Sequence, residues 1–186
     1  MKNKVIEDQN IFLRPIKPSD SSGPYLNWLN DPEVNQYLES RFVTWTDEML
    51  SSYIDNLINN NNELLFAICN MESKKHIGNI KLGPINWNHR FADIGIIIGD
   101  KGEWGKGRAS EAIRAICRYG FDELDLNKIT AGCYGDNQGS VKAFTRVGFQ
   151  QEGISRKKFF SSDQYQDHIL LGILNDEFKK ANVHGN

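Results

Sequence analysis

The sequence reads as an α+β domain, a mixed and mostly antiparallel central sheet flanked by helices. Two observations carry this. Strand patterns at 64–69, 76–83 and 91–99 are joined by short polar turns, "NMESKK" and "INWNHR". Such turns leave no room for a crossover helix, so these strands pair antiparallel. Helical and strand patterns then alternate from residue 107 onward, and amphipathic helices of that kind bury one face on a sheet. With 186 residues and no Pro/Ser-rich linker, the chain suits one domain, placed at 1–178, with a sizeable core.

"IFLRPI" (11–16) opens the pattern as a strand. "SGPYLNWLNDPEVNQYL" (22–38) reads as two short helices broken at Asn30-Asp31-Pro32, with proline at a helix start. "TDEMLSSYIDNLI" (46–58) places Leu50, Tyr53, Ile54, Leu57 and Ile58 on one helical face. After the three-strand meander, a helix spans Gly107 to Leu124 with Ala109, Ala112, Ile113, Ile116 and Cys117 inward. "KITAGCY" (128–134) is a strand. "NQGSVKAFTRVG" (137–148) is a short helix capped by Asn137 and ended by Gly148. Strands near 149–159 and 165–174 complete the fold, and "KKANVHGN" (179–186) reads as a frayed tail.

The formal net charge is −2 and the pI about 6.1, which gives no footprint for nucleic acid. No apolar run approaches the roughly 20 residues of a membrane span, and "MKNKVIEDQN" lacks the apolar core of a signal peptide. Cys69, Cys117 and Cys133 are odd in number and far apart, as expected of buried free thiols in a cytoplasmic protein. His76, His89, His168 and His184 show no ligand spacing, so no metal site is expected.

"GEWGKGRASEA" (102–112) sets three glycines and two cations ahead of a helix. The first N–H groups of a helix lack internal partners, and with the helix dipole they form an anion site. Glycines let an anion approach the main chain, and Lys106 and Arg108 add charge. The P-loop pattern is absent, and Ser110 stands where a dinucleotide motif needs its third glycine. By itself the loop is equally a plain helix cap.

A second stretch, "NQGSVKAFTRVGF" (137–149), lies one strand further on. Together the two resemble the acyl-CoA signature of the GNAT superfamily of N-acetyltransferases. The pattern [QR]-x-x-G-x-[GA] is matched at Gly102 to Gly107, with Gly102 in place of the usual Gln or Arg. The pattern N-x-x-[AS]-x-x-x-[YF]-x-x-x-G-F is matched at Asn137, Ser140, Phe144, Gly148 and Phe149. The resemblance implies a sheet split into a V beside the strand "FADIGIIIG", with acetyl-CoA in the cleft and no metal. It implies contacts from the backbone of Ile96, Ile97 and Ile98, from the Gly105, Lys106, Gly107, Arg108, Ala109 and Ser110 loop, and from Asn137 and Phe144. Gly95 inside that strand suggests a bulge or a close backbone approach.

Acetyl transfer needs a neutral amine. Asp93 stands where many members of the family carry an acid, and Asp is unfavourable within a strand. It reads equally as a base or as a surface side chain. His89 is a weaker base candidate. Relatives often place a Tyr hydroxyl at Phe144 to meet the departing thiolate; here Ser140, one turn earlier, is the nearest hydroxyl. Trp28, Asn30, Asp31, Trp87 and His89, with Trp45 and Glu33 nearby, are the acceptor candidates. "YLNWLNDPEV" and "INWNHR" resemble ribosomal-protein N-terminal acetyltransferases and enzymes acting on amino-sugar nucleotides, and polyamine acetyltransferases share the layout. A polyamine site calls for a dense acidic cluster, which the sequence does not show, so a small amino sugar or sugar nucleotide is the expected acceptor. A non-catalytic acyl-CoA-binding module is the alternative of another class. The expected assembly is a monomer or homodimer, with no nucleic-acid or membrane partner.

Overall fold

A computed structural model describes residues 4–161 and 163–182. Eight strands form one sheet in the order β1-β2-β3-β4-β5-β6-β8-β7. They are β1 (Ile6–Asp8), β2 (Ile11–Pro15), β3 (Leu64–Asn70), β4 (His76–Leu82), β5 (Phe91–Ile98), β6 (Lys128–Tyr134), β7 (Gln150–Ser161) and β8 (Gln164–Leu174). All neighbours are antiparallel except β5 and β6. The helices are α1 (Pro24–Asn30), α2 (Pro32–Asn35), α3 (Asp47–Asn59), α4 (Arg108–Asp122), α5 (Gln138–Val147) and α6 (Asn175–Asn182).

Alternation along each strand sends side chains to opposite faces and gives the sheet two cores. One packs the sheet against α4 and α5, with Ile80, Ile94, Ile113, Ile116, Ile129 and Phe144 buried. The other lies beneath α1 and α3, with Trp28, Leu50, Ile54, Leu65 and Ala67 buried. Local signals set the helix ends. Thr46 accepts from the Met49 N–H, Asn137 accepts from the Ser140 N–H, and Gly148 closes α5 at φ 108°. The three cysteines are free and buried. Among the described residues no helix is long and apolar enough to cross a membrane.

Three expectations need correction. The first strand is preceded by another, β1, which forms a hairpin with β2; three residues are too few to show a period. The chain does not fray at 179: α6 runs to Asn182, with Asp176 and Glu177 in its first turn and Lys179 and Lys180 in its last. That charge order suits the helix dipole, and Phe178 anchors the helix against Phe121 at 5.3 Å. Residues 183–186 lie outside the described residues. Gly95 makes no bulge, since β4 and β5 stay in continuous register with Lys81 opposite Gly95.

The sheet opens elsewhere. β5 and β6 pair in parallel only from Phe91↔Lys128 to Ile94↔Ala131. Beyond that point β5 stays paired to β4 as far as Ile98, and β6 stays paired to β8 as far as Tyr134. A V-shaped cleft therefore begins just past Ile94 and Ala131.

Candidate active site

The loop from 102 to 107 brings the chain from the end of β5 to α4. Gly105 and Gly107 have φ of 74° and 82°, a region that costs any other residue strain. Gly107 is the N-cap of α4, and no side chain caps this end. The first intrahelical bond is Glu111 N–H to Gly107 O, at 3.1 Å. The N–H groups of Arg108, Ala109 and Ser110 therefore have no partner within the helix. A Cβ at Gly105 or Gly107 would stand in open space, with nothing within 4 Å. Uncapped donors facing an open, side-chain-free approach fit the diphosphate of coenzyme A.

The two cations divide. Lys106 is half exposed, 3.6 Å from Glu103. Arg108 turns back, 2.7 Å from Glu103 and 3.3 Å from Glu111, with little exposure. Its guanidinium fixes the loop to the helix, so the cradle is made of amides and Lys106. Ser110 also points inward, donating to the Ala143 carbonyl and tying α4 to α5.

Along the cleft, β5 offers only alternate backbone groups. Gly83 N–H donates to Asp93 O, and Gly99 N–H to Ile77 O, both on the β4 side. Alternation then turns the N–H and C=O of Ile96 and Ile98 to the cleft, and those of Ile97 into the β4 ladder. Ile97 is thus a packing residue beneath α1 and α3. Trp104, whose role was not legible from the sequence, donates its indole N–H to Ile98 O at 2.7 Å. Ile96 is left with both backbone groups on the open edge.

Asp93 lies at the root of the cleft, opposite Thr130. The Thr130 hydroxyl donates to Asp93 Oδ1 at 2.8 Å. Burial raises the Asp93 pKa, against the Thr130 bond and the charge of Lys81. On the other face Cys133 Sγ donates to Ser140 Oγ at 3.3 Å, and burial keeps that thiol protonated by raising its pKa. Asn137 is spent on capping α5. Phe144 is only 2% exposed and packs edge-on against Phe149 at 5.0 Å, so it supports α5 from within the core and offers little surface to a ligand.

Residues 10–150 match the family model described as Acetyltransferase (GNAT) domain. The chain belongs to the GNAT acetyltransferases. As a GNAT enzyme it is an N-acetyltransferase whose donor is acetyl-CoA. It is 29% identical over 179 residues to the N-acetyltransferase p20 of Bacillus licheniformis, covering 94% of this chain and 98% of that one. It is 29% identical over 172 residues to spermidine N(1)-acetyltransferase of Escherichia coli (strain K12), covering 91% and 88%. The structure of spermidine N-acetyltransferase from Vibrio cholerae in complex with CoA and spermine superposes with a TM-score of 0.82. It is 28% identical, with 91% of this chain and 98% of that chain covered.

The acceptor candidates of this GNAT chain do not form one site. Trp28 is buried against Gly99, past the end of β5, and edge-on to His76 at 5.0 Å. Asp31 caps α2 and pairs with Lys101 at 2.8 Å. Asn30 staples Trp45 to α1, donating to Trp45 O and accepting from Trp45 N–H. Trp87 donates to Asn62 Oδ1 at 2.8 Å, and His89 stacks on Phe91 in the turn before β5. These two groups sit at opposite ends of β5, roughly 25 Å of strand apart. One cavity of about 590 Å³ is lined by Trp28, Asp31, His76 and Lys101. Another, of about 620 Å³, is lined by Asn30, Arg41, Phe42 and Phe160. Neither is lined by Asp93. Among the described residues no group of His, Cys, Asp and Glu could hold a metal ion.

Proposed function

We propose that the chain acetylates a small molecule carrying one ammonium group among hydroxyls, of the amino-sugar or sugar-nucleotide class. The observation that supports this is the pairing of acids on and above the Asp93 face. Glu63 is held by Lys81 at 2.9 Å, Glu39 lies 3.8 Å from Arg41, and Asp31 and Glu33 share Lys101. Asp93 instead bonds a neutral hydroxyl. One acid without a cation partner suits one ammonium. The second reading, a polyamine acceptor, rests on the spermidine acetyltransferases among the relatives. Free buried thiols fit a reducing compartment such as the cytoplasm.

Acetyl-CoA supplies a thioester already activated for attack by a neutral amine. The uncapped amides of Arg108 to Ser110 and Lys106 hold the diphosphate, and the backbone of Ile96 pairs with the pantetheine arm. Asp93 takes the proton of the incoming ammonium, directly or through water. An N–H on the open edge of β5 supports the carbonyl oxygen as negative charge develops. Ser140, held over Cys133, is the hydroxyl nearest the departing sulfur's side of the sheet.

The test is thiol release from acetyl-CoA with D-glucosamine, spermidine and a Ser-Ala peptide as acceptors. The proposal expects the largest kcat/KM for the amino sugar. A spermidine kcat/KM tenfold higher would establish the polyamine reading in its place.

A further inference from the structure

His168 stands outside every role assigned so far. It opens the apolar run "HILLGIL" of β8 and pairs with Tyr134 at the end of β6. Thr130, Gly132 and Tyr134 share the Asp93 face of β6, because Ile129, Ala131 and Cys133 face the α4–α5 core. Residues directly opposite in an antiparallel pair share a face, so His168 is on the Asp93 face as well. Its ring leans over Gly132: a Cβ placed there would meet His168 Nε2 at 2.1 Å. Gly132 is the first residue of β6 beyond the last β5 pair, Ile94↔Ala131. Asp93 and Thr130 are the last pair on this face below the opening. The imidazole therefore lines one lip of the cleft, about 7 Å of strand above the carboxylate.

The ring is held from behind. Lys158 Nζ is 2.9 Å from His168 Nδ1, and Phe159 packs edge-on at 4.8 Å. An ammonium has only donors, so Nδ1 must accept and the proton sits on Nε2. Burial and the Lys158 charge both keep the ring neutral, with Glu39 opposing them from above. Two extra residues of β7, between the pairs Ser155↔His168 and Phe159↔Gln166, deliver the lysine. This bulge forces Lys157 to φ 50°. Bulges re-aim side chains in this way beside active sites.

We propose that His168 is a substrate-positioning residue, whose fixed Nε2–H donates to an oxygen on the carbon next to the reacting amine. It rests on the acceptor reading above and deepens it, since the Lys158 charge behind the ring disfavours a second ammonium there. Asp93 reads the nitrogen and His168 reads the neighbouring oxygen.

The test compares D-glucosamine with cyclohexylamine, which lacks oxygens, in the parent, His168→Ala, His168→Gln and Gly132→Ala. The expected result for His168→Ala is a tenfold or greater loss of kcat/KM on glucosamine, mostly in KM. Cyclohexylamine kinetics and the acetyl-CoA KM stay within twofold. Gln, which keeps an N–H donor, restores part of the loss. Gly132→Ala displaces the ring without removing it and reproduces the loss. The shape of the pH profile is unchanged, because His168 moves no proton. Equal losses on both amines, or a limb of the profile that vanishes with the imidazole, overturn the positioning role while leaving the acceptor class intact. A parent that acetylates spermidine but not glucosamine overturns the acceptor reading and this inference with it. Nitrogen NMR of the ring gives an independent answer: a proton on Nδ1 overturns the proposal whatever the variants do.

Discussion

Replacing Asp93 with Asn separates chemistry from geometry at the root of the cleft. The amide is nearly the same size, and its oxygen can still accept from Thr130, which now donates at 2.8 Å. What disappears is the proton acceptor. For an alkylamine of pKa about 10.4, the neutral fraction is about 10⁻³ at pH 7.4 and about 10⁻¹ at pH 9.4. Without a base the enzyme draws on that fraction alone, so the loss in kcat/KM is bounded near ~10³ at pH 7.4. It should shrink to about tenfold at pH 9.4. General-base contributions of 10² to 10⁴ bracket this value. Stability should move the other way. Burial raises the folded pKa of Asp93 above its ordinary 3.8. Between those two values the native state binds more protons than the unfolded state, so stability falls as pH rises. At pH 7 the parent carries the whole cost of a desolvated charge, and Asn does not. The variant should therefore unfold at higher urea at pH 7, with the gain vanishing below pH 3.8. Steady-state thiol release across pH and urea titrations at two pH values measure both effects. A variant with the parent's pH–rate profile and no gain in stability would refute the assignment of Asp93 as base.

Gly107→Val should weaken acetyl-CoA binding at least tenfold, about 1.4 kcal/mol, since a branched side chain both strains φ 82° and closes the amide cradle; calorimetry on the folded variant reads it. Ser140→Ala should lower kcat about tenfold with acetyl-CoA affinity nearly intact, because a thiolate of pKa near 8.5 leaves readily without an acid. Phe144→Tyr in that background tests for recovery, and full activity in the single variant would mean that no side-chain acid acts here. Gly99→Ala should cost roughly 1–3 kcal/mol in urea unfolding, because the new methyl would lie 1.9 Å from the Trp28 ring. An unchanged unfolding midpoint would show that α1 is free to shift.

Much was legible in the sequence because it is written in short-range chemistry. Glycines at 105 and 107 can adopt φ values that other residues resist, and a helix must begin where the amphipathic pattern begins, so the cradle is visible as a string. Asn137 and Gly148 announce the two ends of α5 for the same reason. Turns too short for a helix set the antiparallel meander from β3 to β5. Other features exist only once distant strands meet. Nothing in "KITAGCY" says that pairing with β5 stops at Ala131, because each strand keeps its other partner past that point and parts only in three dimensions. Strand alternation then decided that Ile96 and not Ile97 turns its backbone to the cleft. The ion pair that draws Arg108 away from the cradle joins residues whose charges alone suggested a phosphate ligand. Trp28, Asp31, Trp87 and His89 lie at opposite ends of one strand, a separation that composition cannot express. His168 is the clearest case. Its ring reaches the cleft because β6 carries no side chain at Gly132 and a bulge in β7 brings Lys158 behind it, and both conditions depend on register between strands far apart in the chain.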